Sequence, residues 1–554
     1  MQWNGSGVAE VAVPQPRCFL VHEFVDQETF SGIARLEIPL GNVTGNEQCR
    51  LLSAKILRVD PMVSADGCRV CGVATVQVEV SVLCNSRAIT CRQVAVVRAS
   101  RPLMGAGQAR ILGSGFEPLV VSQTRVRREG RITLAGTSPG DQFGFSVAFV
   151  GDINGDGIAD LAVGAPGTDP GGMVDAGSLY LFSGATGGLL RRIDGTFTEE
   201  AFGFAVAAAG DIDGDGIPDI LVGAPGPNGS PGQAFVISGA DGSILRTFTG
   251  AAAGDQFGWA VAGVADVDGD GIPDLLIGAP SADPGALTDA GSAYLYSGGT
   301  GALIMQFDGT VAGNALGFAV SSPGDVNGDG FPDLLLGASQ ASPGGRAEAG
   351  QALLISGKPP YPTLLTLDGA TAGDGLGWFV APAGDFDGDG VPDLLVGAPG
   401  VAPSAGSLLI VSGATGLILR QIDGMAPGES LGVSAAAADL NLDGRPDLVV
   451  GAPDAGPGFS VGRIDLFLNG IPGPVRSFSG VSAYNQFGWS VAADATNRAL
   501  AIGAPVADPN GLQAAGTVDL IFLAASALRI ELCLEAIIRV ERPVAVTLDT
   551  AGAC

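Results

Sequence analysis

The sequence predicts an all-β protein: a seven-bladed β-propeller, inserted in or appended to a smaller Cys-containing β domain. Three observations carry that prediction. A unit made of Phe-Gly, an acidic loop and Gly-Ala-Pro recurs, with copies beginning at Phe143, Phe202, Phe257, Leu316, Leu376, Leu431 and Phe487, spaced by 59, 55, 59, 60, 55 and 56 residues. A fixed period in this range marks a propeller or solenoid. Gly numbers 88 of 554 residues, more than double the average share of about 7%. That suits short strands and tight turns. Runs such as GSLYLFSG from Gly177 and GSAYLYSG from Gly291 are strand-length and bounded by turn residues.

Each repeat places its elements in the same order. The Phe-Gly strand leads into the acidic loop, the loop into an apolar strand ending Gly-Ala-Pro, and a third and fourth strand follow. A fourth strand follows six of the seven third strands, for example Leu189 to Asp194 and Ile244 to Thr249, but none follows Gly516-Thr517-Val518-Asp519-Leu520. Its counterpart lies upstream of the first repeat, at Arg131-Ile132-Thr133-Leu134-Ala135-Gly136. The expectation is a ring closed by this strand, which removes an unpaired edge from the last blade.

The propeller is assigned to residues 126–524 and the Cys-containing β domain to residues 1–125. Six of the eight Cys fall in that domain: Cys18, Cys49, Cys68, Cys71, Cys84 and Cys91. Residues 525–554 contribute strands expected to pack with it, because Leu528 to Glu535 alternates in the same style. Cys68, Cys71, Cys84 and Cys91 are spaced permissively for a four-thiolate zinc site. An even Cys count fits disulfides equally, and both readings stay open.

The acidic loops carry the chemistry. They are DINGDGIAD (Asp152, Asn154, Asp156, Asp160), DIDGDGIPD (Asp211, Asp213, Asp215, Asp219), DVDGDGIPD (Asp266, Asp268, Asp270, Asp274), DVNGDGFPD (Asp325, Asn327, Asp329, Asp333), DFDGDGVPD (Asp385, Asp387, Asp389, Asp393) and DLNLDGRPD (Asp439, Asn441, Asp443, Asp447). Oxygen donors fall at positions 1, 3, 5 and 9, with Gly at position 6 for a sharp turn. Hard oxygen ligands on a short loop suit Ca²⁺ better than Mg²⁺, which demands a smaller, stiffer octahedron. Up to six Ca²⁺ are expected. One such loop alone could be a capped turn; six at one place in a repeat point to metal. Loop six is the weakest, since Leu442 replaces Gly at position 4 and Arg445 brings a cation close. The seventh repeat has only Asp494-Ala495-Thr496-Asn497-Arg498 there.

Phe-Gly, DxDGDGxxD and Gly-Ala-Pro in tandem resemble the FG-GAP repeats of integrin α-subunit propellers and their bacterial relatives, over about residues 126–524. The resemblance implies a seven-bladed propeller with Ca²⁺ in hairpin loops on one face, the loop Asp and Asn residues as ligands, and a role in adhesion or extracellular scaffolding. The chain departs from the pattern at Leu316, Leu376 and Leu431, which replace Phe, at Ser339, which replaces the Pro of Gly-Ala-Pro, and in having six loops where the integrin pattern has fewer. The flanks, His22 to Leu40 and Cys533 to Pro543, resemble β repeats of spore-coat and related bacterial surface-assembly proteins. Phe202 and Trp259 are expected to serve the core, because aromatic side chains bury large area.

Charge and residue usage exclude several functions. The net charge of −29 opposes nucleic acid or an anionic membrane as a partner. No run approaches the ~18 apolar residues that span a bilayer, so no membrane insertion is expected. The N-terminus shows no secretory signal pattern. A single His, His22, and the absence of a phosphate-cradling Gly-Lys loop leave no visible acid, base and nucleophile set. The expectation is a non-catalytic, calcium-stabilised propeller, extracellular or at the cell surface. It would act as an adhesion, scaffold or self-assembling structural protein, with a protein or glycan ligand or copies of itself as partner. The alternative is a propeller accessory to a phospholipase or glycan-cleaving activity in the flanking domain.

Overall fold

The computed structural model describes residues 130–523 with their side chains, apart from 228, 401–404, 457–460 and 482–483, and the backbone of six further strands between residues 25 and 541. The chain divides into two compact units, Met1–Glu129 with Ala524–Cys554, and Gly130–Leu523. In the first unit, Ala527–Glu541 lies between Val25–Pro39 and Glu117–Gln123, and Cys49–Asp66, Arg69–Cys84 and Arg87–Pro102 form a three-stranded meander. The choice between zinc and disulfides concerns Cys68 and side chains of these strands, and it lies outside the described residues, as does His22.

Among the described residues, Gly130–Leu523 forms seven four-stranded antiparallel sheets. The second shows how sequence sets position. Its strands are Ala205–Gly210, Asp219–Ala224, Gln233–Ile237 and Ile244–Thr249, hydrogen-bonded in that order. Asp219–Ala224 is buried along its whole length. A neighbouring blade covers each face of such a strand, which is why it reads as a continuous apolar run rather than an alternating one. Ile244–Thr249, at the rim, is mostly exposed or half-buried. First strands of adjacent blades touch all the way round, so they line the centre.

Blades are joined by the recurring motifs. Phe202 is 2% exposed and packs with Leu179 and Leu181 of the blade before it and with Val222 and Phe235 of its own. Its N–H donates to the Ala176 carbonyl at 3.0 Å, and Gly203 N–H donates to Gly223. The glycines are required by close approach. A Cβ on Gly223 of Gly-Ala-Pro would lie 2.0 Å from the carbonyl oxygen of Gly258, the glycine of the next Phe-Gly. The same contact recurs around the ring and closes it, with a Cβ on Gly503 falling 2.0 Å from the Gly144 carbonyl. Two backbones meet where no side chain fits.

The ring closes as the sequence predicts. Gly130–Ala135 pairs antiparallel with Thr517–Phe522, Ala135 opposite Thr517 and Gly130 opposite Phe522. Thr133 Oγ1 donates to Asp519 Oδ1 at 2.5 Å, and Arg131 forms an ion pair with the other oxygen of the buried Asp519. Leu134 and Val518 then share one apolar cluster with Phe143 and Leu161 of the first blade.

Candidate functional site

Each acidic loop leaves the end of a first strand and wraps its own carboxylates. In loop two, Asp211 Oδ1 accepts from Gly214 N–H at 2.8 Å and Asp215 N–H at 3.1 Å, while its Oδ2 accepts from Gly216 N–H at 2.9 Å. Asp213 Oδ1 accepts from Asp215 N–H and Asp215 Oδ1 from Ile217 N–H. Gly214 and Gly216 supply the turn, with φ of 79° and 87°, where a side chain would be strained. Position 9 anchors the loop. Asp219, fully buried, accepts from Ile212 N–H at 2.8 Å and from Gly239 N–H, in the turn between third and fourth strands, at 3.0 Å. The equivalent acids Asp160, Asp274, Asp333, Asp393 and Asp447 accept in the same way from Gly184, Gly298, Gly357, Gly413 and Asn469.

Three loops bring acids together at positions 1, 3 and 9. Oxygens of Asp211, Asp213 and Asp219 lie within 4.8 Å of one another, as do those of Asp266, Asp268 and Asp274 and of Asp385, Asp387 and Asp393. The other three loops carry Asn154, Asn327 and Asn441 at position 3, so only two of those three groups are acids. The position 5 acids, such as Asp215, stand outside these triples and accept from the N–H of position 7. Loop six differs further. Asn441 Nδ2 donates to Asp443 Oδ2 at 2.9 Å, and Leu442 takes φ of 62° where the other loops have Gly.

Burial pushes the Asp160 carboxyl up to about 6, against the hydrogen bonds from Gly184 and Ile153 and with help from Asp156 and Asp152. Asp274 is pushed to about 6 by burial as well, opposed by Gly298 and Val267 and helped by Asp268. Asp219, Asp333, Asp393 and Asp447 are raised for the same first cause. A converging set of mutually repelling carboxylate oxygens, running from an exposed acid at position 3 to a buried one at position 9, fits a hard divalent cation. Three of these clusters could hold a metal ion.

At the other end of each first strand lies a second feature. The residue after Phe-Gly is Phe145, Phe204, Trp259, Phe318, Trp378, Val433 and Trp489 in blades one to seven. Five ring contacts join six of these side chains into one arc. Centroids are 4.7 Å apart for Phe145 and Phe204, for Phe204 and Trp259 and for Phe318 and Trp378, and 5.6 Å apart for Trp259 and Phe318 and for Phe145 and Trp489. The arc is open only at Val433. Trp259, expected with Phe202 in the core, is instead half-buried, and Trp378 is 38% exposed. Since the aromatic precedes the first strand and the acidic loop follows it, the two features sit on opposite faces of the propeller.

Residues 143–182, 202–237, 257–296, 317–355, 376–411 and 431–467 match the family model "FG-GAP repeat". The seventh blade, from Phe487, completes the ring beyond these six. "Integrin alpha-5" of Xenopus laevis is 32% identical over 227 residues, which cover 38% of this chain and 21% of that protein. "Integrin alpha-V" of Gallus gallus is 32% identical over 225 residues, 38% of this chain and 21% of the other. "Integrin alpha-IIb" of Homo sapiens is 37% identical over 166 residues, 27% and 16% of the two chains. The chain thus spans about a fifth of the length of these curated relatives. The Gly130–Leu523 unit is an integrin-α-like FG-GAP propeller.

Proposed function

We propose that the chain is a non-catalytic, calcium-stabilised adhesion or ligand-binding module, extracellular or at the cell surface, that holds a protein ligand on the face opposite its acidic loops. The arc of six part-exposed aromatic rings carries this reading. Aromatic side chains left accessible at the mouth of a rigid ring offer large contact area at low entropic cost, as at interface hot spots. The relatives are integrin α-subunits, which supports a protein ligand over a glycan. The acidic loops on the far face would hold Ca²⁺ through Asp152, Asn154, Asp156 and Asp160 and their counterparts in the other five. Bound cations would neutralise the carboxylates and lock the loops. They would support the ligand face without touching it.

The test is retention of the full chain on arrays of extracellular-matrix proteins and of glycans, in Ca²⁺. Retention on protein spots that is lost in Trp259→Ala and Trp378→Ala variants supports the reading. Retention on glycan spots alone reassigns the partner, and rings that polymerise in electron micrographs reassign it to copies of this chain. Turnover of phospholipid or glycan substrates by the same sample would contradict the non-catalytic assignment.

A further inference from the structure

Loops two and five have the same ligand set, Asp at positions 1, 3, 5 and 9, and both bring positions 1, 3 and 9 within 4.8 Å. They differ in what leans on them. In loops two, three and five the residue at position 7 packs back on the blade before it. Ile217 joins the cluster of Ile153, Ile272 that of Ile212, and Val391 that of Val326. Loop two therefore faces an apolar side chain, Ile272. In loop six, position 7 is Arg445, and its guanidinium lies over loop five. A Cβ on Gly388, position 4 of loop five, would fall 3.2 Å from Arg445 Nη2 and 3.6 Å from Cζ. Gly388 itself donates its N–H to Asp385 Oδ1 at 2.7 Å. The ion pairs among the described residues do not include Arg445.

We propose that Arg445 is a resident positive charge that weakens cation binding at loop five, making it a lower-affinity site than the otherwise matched loop two. This rests on the reading of the loops as calcium sites. The guanidinium repels an incoming divalent ion and also offsets part of the carboxylate repulsion that the ion would otherwise relieve. Both effects act in the same direction. A unit charge and a divalent ion several ångströms apart, screened as in water, interact by enough to change affinity about tenfold. One blade thereby sets the ion affinity of the blade before it, and loop five empties before loop two as Ca²⁺ falls.

The experiment is calorimetric titration of the chelator-treated full chain with CaCl₂, for wild type, Arg445→Ile and Arg445→Lys. The expected result is that Arg445→Ile tightens one site about tenfold while Arg445→Lys, which keeps the charge, does not. Adding Asp385→Asn, or Asp387→Asn as a second marker of loop five, to Arg445→Ile should remove the tightened site. Circular dichroism in Ca²⁺ confirms folding of each variant. An Arg445→Ile isotherm identical to wild type, or equal tightening by Ile and Lys, overturns the proposal while leaving the calcium sites intact. A tightened site that survives both Asp→Asn changes places the effect elsewhere and also overturns it. Absence of any Ca²⁺ heat in wild type and variant alike overturns the calcium reading and this inference together.

Discussion

At the scale of single residues, two departures from the repeat consensus have legible costs. Leu442 sits at φ of 62° where the other five loops use Gly, and an L-residue in that region is strained by roughly 1–2 kcal/mol. Leu442→Gly should therefore raise stability by about 1 kcal/mol, read from the urea midpoint in Ca²⁺. Ser339 takes the place of Pro in the fourth Gly-Ala-Pro, and its Oγ is buried without a hydrogen-bond partner. Ser339→Pro removes that unpaired hydroxyl and restricts the unfolded chain. It should stabilise by about 1 kcal/mol on the same measurement. The position 9 acids set a pH dependence. Asp160 and Asp274 titrate near 6 in the ion-free fold, above the ordinary 3.8. Their contribution to ion-free stability is fully present below that ordinary value and is lost as pH rises through about 6. A cation needs the ionised form, so its effect runs the other way. The rise in Tm on adding Ca²⁺ should be large at about pH 8 and shrink at about pH 5. A constant rise would remove these acids from the coordination sphere.

At the scale of the blade, the side chain after Phe-Gly and the Phe itself do different work. Phe202→Ala empties the wedge between blades and should cost about 3–5 kcal/mol. Trp378→Ala, at a 38% exposed ring, should leave the thermal midpoint nearly unchanged while reducing ligand retention. The sequence distinguishes strand, loop and Gly-Ala-Pro in every copy, because each is dictated by local periodicity and turn chemistry. Which aromatic faces solvent is not local. It depends on how seven first strands converge at the axis, so Trp259 and Phe202 look alike in one dimension. A third regularity escaped for a similar reason. An acid stands two residues before the Phe-Gly position in five copies and caps the turn there, as when Asp141 Oδ2 accepts from Thr137 and Ser138 N–H and Asp255 Oδ2 from Ala252 N–H. Such carboxylates belong to the fold, and the acidity of the chain is shared between turns and loops. Pro at loop position 8 also works across blades, Pro218 against Gly151 and Pro273 against Gly210. The signal was present at fixed spacing, but its partner lay a full repeat away.

At the scale of the whole ring, stability is cooperative because each wedge is shared by two blades and the last wedge joins the seventh blade to the first. A chain beginning at Thr137 would lack Gly130–Ala135 and leave Thr517–Phe522 as a bare sheet edge. Compared with a chain of residues 126–524, it should unfold at lower denaturant. Equal midpoints would mean that the seventh blade gains little from its outer strand. The ring also gathers six acidic loops on one face, where their charges add. Stripping Ca²⁺ with chelator should lower the melting temperature of the whole propeller in a single transition rather than blade by blade.

The closing strand has a consequence for how the protein is made. Thr133 and Asp519, partners across the closing pair, are 386 residues apart. The ribosome therefore delivers the outer strand of the last blade before any other part of the ring. At about 5–20 residues per second, that strand waits roughly 20 to 80 seconds for its partner. In that interval six blades can stack while the ring stays open, with one edge exposed at each end. A second nascent chain on the same message presents the same two edges. Slow translation or crowding on the polysome would therefore favour exchange of the Gly130–Ala135 segment between copies, giving closed pairs of chains that share one another's first strand.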